Sequence, residues 1–97
     1  MGVPAMKSEY KIPDGKLVAC ELMLINGAIS EIKFSGDFFM YPEEAIEDLE
    51  NTLQGTSILN YGTTIRDFFL KEDITLVGIS PNNFVTVIKL AVESEKN

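Results

Sequence analysis

The chain contains no histidine, no tryptophan and a single cysteine, Cys20, among its 97 residues. Without histidine, the general base of the usual catalytic triads and dyads is missing. With one thiol, no disulfide can close within the chain. Neither a zinc site of thiolates and imidazoles nor an iron–sulfur cluster can be built from its own side chains. Carboxylates alone would suit Mg²⁺ or Ca²⁺, but no EF-hand spacing is present. Basic residues are scarce too: 8 Lys and Arg stand against 15 Asp and Glu, for a formal net charge of −7 and a pI of about 4.4. The eight are scattered, whereas a phosphate backbone needs them clustered, so nucleic acid is not an expected partner. No apolar run approaches the length of a bilayer span. The N-terminus lacks a basic start followed by an apolar stretch, and Met6 stands where a myristoylation pattern needs Ser or Thr. These absences lead us to expect a cytoplasmic protein with no membrane partner.

What is present is core-forming material. Apolar residues make up 45% and charged ones 24%, enough for one domain spanning residues 1–97. Residues 1–7 show no periodicity and are expected as a loose tail. Ser8–Ile12 predicts a short strand, ended by the turn sequence Pro13-Asp14-Gly15. Lys16–Ile25 predicts a strand with Val18, Cys20, Leu22 and Leu24 on one face and Leu17, Ala19, Glu21, Met23 and Ile25 on the other. Asn26-Gly27 marks a two-residue hairpin, and the return strand runs from about Ala28 to Ser35. A plain two-residue turn sets Ile32 opposite Glu21, whereas the apolar alternation wants Ile32 beside Leu22 and Phe34 beside Cys20. A three-residue loop or a bulge near the turn reconciles the two, and the bulge is preferred.

Pro42–Gln54 predicts a helix with Ala45, Ile46, Leu49 and Leu53 inward, Pro42 at its first position and Gly55 as its stop. Its outer face is read as Glu43, Glu44, Glu47, Asp48 and Glu50: a solvated face, or one that docks on a basic partner. A short helix capped by Thr63 or Thr64 uses Ile65, Phe68 and Phe69. Asp73–Ile79 is a short strand or a buried connector. Ser80-Pro81 opens a last helix that buries Phe84, Val85, Val87, Ile88, Ala91 and Val92 and frays at its end. The order is α+β: a small antiparallel sheet of two or three strands covered on one face by about three helices.

The unusual stretch is Gly36-Asp37-Phe38-Phe39-Met40-Tyr41-Pro42-Glu43-Glu44, between the return strand and the first helix. Four bulky groups in a connection either plug this domain's own core or meet another protein. In the core reading, Phe38 or Phe39 packs under the first helix against Ile46 or Leu49. In the other, aromatic rings with a flanking charge form the centre of an interface. Hairpin pairing brings Leu17 near Gly36, so Lys16, Asp37 and the aromatic pair meet at one edge of the sheet. Chemistry within the chain has little to work with. Cys20 sits in an apolar run, the carboxylates of the first helix lack an apolar wall, and Lys16 after Gly15 is not preceded by the glycine of a Walker loop.

The opening Lys11-Ile12-Pro13-Asp14-Gly15-Lys16-Leu17-Val18, the corner Gly36-Asp37-Phe38-Phe39, the helix start Pro42-Glu43-Glu44 and the close Leu49-Glu50 to Leu53-Gln54-Gly55 together resemble the accessory domain of lipoate–protein ligases. That domain is fused behind the catalytic domain in bacterial enzymes and is a separate small subunit in archaeal ones. The resemblance covers most of the chain and is strongest from Lys11 to Gly55. It departs at Asp14, where a second glycine often precedes Gly15. It implies a fold like that of iron–sulfur scaffold and sulfur-acceptor proteins, and a non-catalytic subunit in a heterodimer with a catalytic one. The catalytic partner would hold lipoate, ATP and Mg²⁺, form lipoyl-AMP, and pass the lipoyl group to acceptor domains of 2-oxoacid dehydrogenases or the glycine-cleavage carrier. The alternative is a free-standing module that recognises lipoyl carrier domains. The expected partner interface comprises Lys11, Gly15, Lys16, Gly36, Asp37, Phe38, Phe39 and Tyr41.

Overall fold

Alternation of apolar and polar residues in the first third of the chain produces an antiparallel sheet. The computed structural model describes residues 5–13 and 16–94. Strands β1 (Met6–Lys11), β2 (Leu17–Ile25) and β3 (Ala28–Gly36) lie side by side in that order. β1 starts two residues before the expected position, so Met6 and Lys7 belong to the sheet, paired with Leu22 and Glu21, and not to a loose tail. Of the Pro13-Asp14-Gly15 turn, Asp14 and Gly15 lie outside the described residues; the Ile12 N–H donates to the Lys16 carbonyl at 2.7 Å and closes the hairpin. At the second hairpin Asn26 and Gly27 both take positive φ, 52° and 77°, as a two-residue turn of matching twist requires. The register then shifts between Met23 and Leu24, which leaves Ser30 as the extra residue. Leu22 faces Ile32 and Cys20 faces Phe34. The bulge reading holds.

The helices α1 (Ala45–Leu53), α2 (Tyr61–Lys71) and α3 (Pro81–Ser94) form the covering layer. α3 packs on β1 and β2, α1 on β3, and α2 against both helices. Val18, Leu22, Ile29, Leu49, Leu53, Ile65, Phe84, Val87 and Ile88 are fully buried between the layers. α3 begins as expected at Pro81. The Ser80 hydroxyl does not cap the helix, however; the Asn83 side-chain oxygen accepts from the Ser80 N–H at 2.8 Å, the reciprocal half of a capping box. α2 begins at Tyr61, earlier than Thr63 or Thr64, because Tyr61 packs on the core as the first helical residue. Thr64 sits inside the first turn with its hydroxyl on the Asn60 carbonyl.

Two expectations fail at α1. The helix starts at Ala45, three residues after Pro42, because the backbone is still extended at Tyr41. The peptide bond before Pro42 is cis, and Pro42–Glu44 form a turn closed by the Ala45 N–H on the Pro42 carbonyl. Glu50 is not part of an outer acidic face. Its carboxylate accepts the Phe34 N–H at 2.8 Å and covers the free edge of β3. The same edge is covered further along by the Ile29 N–H on the Thr56 carbonyl and the Gly55 N–H on the Ile29 carbonyl, so the backbone groups at these positions are paired.

The corner is a strand in its own right. β4 (Phe39–Tyr41) pairs antiparallel with β5 (Thr75–Val77) as a separate two-stranded ribbon. Within the apolar segment Asp73–Ile79, Thr75–Val77 is therefore a short strand, and among the described residues the α+β architecture comprises three plus two strands with three helices. No helix among the described residues is long and apolar enough to cross a membrane.

Candidate functional site

Gly36 ends β3 with φ 145°, and a Cβ there would overlap the Leu17 carbonyl oxygen. Only glycine allows the two chains to approach this closely. The following Asp37 N–H donates to that carbonyl at 2.9 Å, so the exit from the sheet is fixed before the aromatic run begins. Phe38 then turns inward. Its ring meets Phe84 of α3 edge-on at 5.5 Å, and Phe84 also touches Phe34 at 4.9 Å and stacks on Phe69 at 5.7 Å. Phe38 thus anchors the corner to the core through α3, not through Ile46 or Leu49 alone.

From Phe39 on, the alternation of a strand decides which rings face out. Met40 is buried at 5% exposure, while Phe39 and Tyr41 on either side are 57% and 50% exposed. Across the ribbon Val77 faces Phe39, Leu76 faces Met40 and Thr75 faces Tyr41. Val77 is 46% exposed, so the outer face of the ribbon is Phe39, Val77, Tyr41 and Thr75. Gly78 follows at φ 82°, and the Lys16 side chain lies across it: a Cβ at Gly78 would sit 3.1 Å from Lys16 Cγ. The lysine stem is thereby held against the ribbon, half-buried.

The structure brings Lys16, Gly36, Asp37, Phe39 and Tyr41 to one end of the molecule and turns Phe38 into the core. Lys11 lies near them on the open face of the sheet, paired with Leu17. Gly15 is outside the described residues. Thr75, Val77 and Gly78 belong to the same surface and were missed. Their segment reads as apolar and β-branched, but nothing local pairs it with a corner more than thirty residues upstream. Between the end of β3, β4 and the start of α1 runs an open groove of about 560 Å³, lined by Phe38, Phe39, Met40, Tyr41, Glu43 and Ile46 together with the last residues of β3 from Phe34 to Gly36.

Cys20 is buried at 3% exposure. Burial, followed by the negative charges of Glu50 and Glu21, pushes its thiol up to about 12. A thiol held protonated is a poor nucleophile, so Cys20 serves packing.

A family model described as the bacterial lipoate protein ligase C-terminus matches residues 6–88 of this chain. The sequence is 39% identical to lipoate-protein ligase A subunit 2 of Thermoplasma acidophilum over 74 residues, which is 76% of this chain and 78% of that protein. The fold matches, with a TM-score of 0.73 and 32% identity, a chain of the solved archaeal lipoylation system of Thermoplasma acidophilum, a bi-partite lipoate protein ligase with its E2 lipoyl domain. That match covers 89% of this chain and 93% of the other.

Proposed function

This chain belongs to the family of the bacterial lipoate protein ligase C-terminus, and from that membership we propose that it is the non-catalytic accessory subunit of a two-protein lipoate–protein ligase. It binds the catalytic subunit as a heterodimer and shifts a mobile adenylate-binding loop of that subunit toward its closed population. Lipoate, ATP and Mg²⁺ are held by the partner, which forms lipoyl-AMP and passes the lipoyl group to acceptor domains. The bi-partite nature of the solved archaeal ligase supports the heterodimer.

The observation that carries this reading is the outward face of the β4–β5 ribbon. Phe39 and Tyr41 are half exposed or more beside Val77, although the same corner buries Met40 and packs Phe38 partly buried against the core. Large aromatic groups presented in the open on a paired strand, with the Lys16 stem beside them, have the composition of an interface centre. The test is lipoyl-adenylate formation by the purified catalytic subunit with and without this chain. Adenylate is expected only with both. Phe39→Ser should reduce activation at least tenfold at limiting chain concentration while leaving the urea midpoint unchanged. A catalytic subunit fully active alone, or equal losses of activation and stability in the variant, would overturn the reading.

A further inference from the structure

We propose that the groove between β4 and the start of α1 receives a basic side chain, an arginine or a lysine, of the catalytic subunit. The inference rests on the accessory-subunit reading and specifies the chemistry of its contact. The groove takes apolar surface from Phe38, Met40 and Ile46 and polar surface from the end of β3 at Ser35 and Gly36; the exposed rings of Phe39 and Tyr41 and the exposed Glu43 also line it. A long basic side chain matches each part. Its aliphatic stem lies along the apolar wall, its cation can face a ring, and its head reaches the Glu43 carboxylate.

The charge around the groove points the same way. From Ser35 to Ile65 the sequence holds six acidic residues, Asp37, Glu43, Glu44, Glu47, Asp48 and Glu50, and no lysine or arginine. Among the described residues the one ion pair is Lys7 with Glu21, on the open face of the sheet and away from the groove. Lys16 lies at the Gly78 end of the ribbon, but among the described residues no ion pair joins it or any other cation to Glu43, so that carboxylate is free to attract one from a partner. A second copy of this chain is a poor occupant, because an acidic rim would meet an acidic rim on a molecule of net charge −7. An apolar side chain fits the floor but would strip water from Glu43 and give nothing in return.

The affinity of the full chain for the catalytic subunit, measured by titration calorimetry at low and moderate salt, tests this. Glu43→Lys should weaken binding tenfold or more, Glu43→Gln several-fold, and both should flatten the salt dependence. Glu31→Lys makes the same charge change on the open face of the sheet, toward the far end of β3, and should alter binding by less than twofold. Since Glu43 is exposed, the urea midpoints of its variants should match the wild type. If Glu43→Lys and Glu31→Lys weaken binding equally, the charge acts only in general steering and the groove takes no cation. If the wild-type chain does not bind the catalytic subunit at all, the accessory-subunit reading fails and this inference with it.

Discussion

Gly36 and Cys20 show how much a single position decides. At Gly36 a side chain has no room beside the Leu17 carbonyl, and the φ of 145° is one that other residues avoid. Gly36→Ala is expected to cost about 2 kcal/mol or more, read as a fall in the urea midpoint, with activation of the ligase falling alongside because the corner moves. An unfolding free energy within about 0.5 kcal/mol of wild type would show that the strand exit relaxes freely. Cys20 gives a pH dependence. Its thiol has an ordinary value of 9.0 and is pushed to about 12 in the folded chain. Between those values the unfolded chain has lost the proton and the folded chain keeps it. The stabilisation is complete below pH 9 and is lost as the pH rises toward 12, at up to about 1.4 kcal/mol per unit. The gap in urea midpoint between wild type and Cys20→Ala should therefore narrow from pH 8 to pH 11. Parallel profiles would refute the burial account. The burial of Cys20 was legible in the sequence, since it alternates with Val18 and Leu22; the neighbouring Glu50 was not.

Between elements, the bond from Glu50 to the Phe34 N–H ties α1 to the edge of β3. A hydrogen bond to a charged acceptor contributes about 1.5–3 kcal/mol, and partial exposure of Glu50 places this one toward the lower end. Glu50→Ala should lose roughly that amount and speed hydrogen exchange at Phe34, whereas Glu50→Gln keeps an acceptor oxygen and should lose less. No change in Phe34 exchange in Glu50→Ala would mean the edge is protected by other means. That contact explains why periodicity alone misassigned Glu50 to a solvated face. Helical spacing places a residue on a face but does not say what lies beyond it. The β2–β3 register, by contrast, was legible because turn chemistry at Asn26-Gly27 and the buried face demanded different pairings that only an extra residue could reconcile. The β4–β5 ribbon was not. Each partner is three residues long and the pairing is non-local, so the corner read as a connection and Pro42 as the start of a helix. The aromatic anomaly at the corner could be seen in the sequence. Which ring faces out could not, because strand alternation there depends on a partner strand with no local signal.

Taken whole, the chain is a small domain whose stability rests on one core, shared between a one-sided sheet and three helices. Domains of this size are stable by roughly 0.05–0.15 kcal/mol per residue, so a partner that binds only the folded form adds a large fraction to that margin. At a partner concentration 100 times the dissociation constant the gain is about 2.7 kcal/mol. The absence of tryptophan removes the usual fluorescence signal for this chain, but hydrogen exchange followed by mass spectrometry reports it separately from the partner. The slowest amides, in peptides containing Val18, Leu49 and Val87, exchange through global unfolding. The catalytic subunit at that excess should slow them all by a common factor of about 100. Lipoate and ATP without the catalytic subunit should leave them unchanged, and Phe39→Ser, at the same partner concentration, should cut the slowing to about tenfold or less. A partner that bound through the ribbon yet left the core rates untouched would have to bind the unfolded chain equally well. That would dissociate the outward aromatic face from the folded structure that presents it.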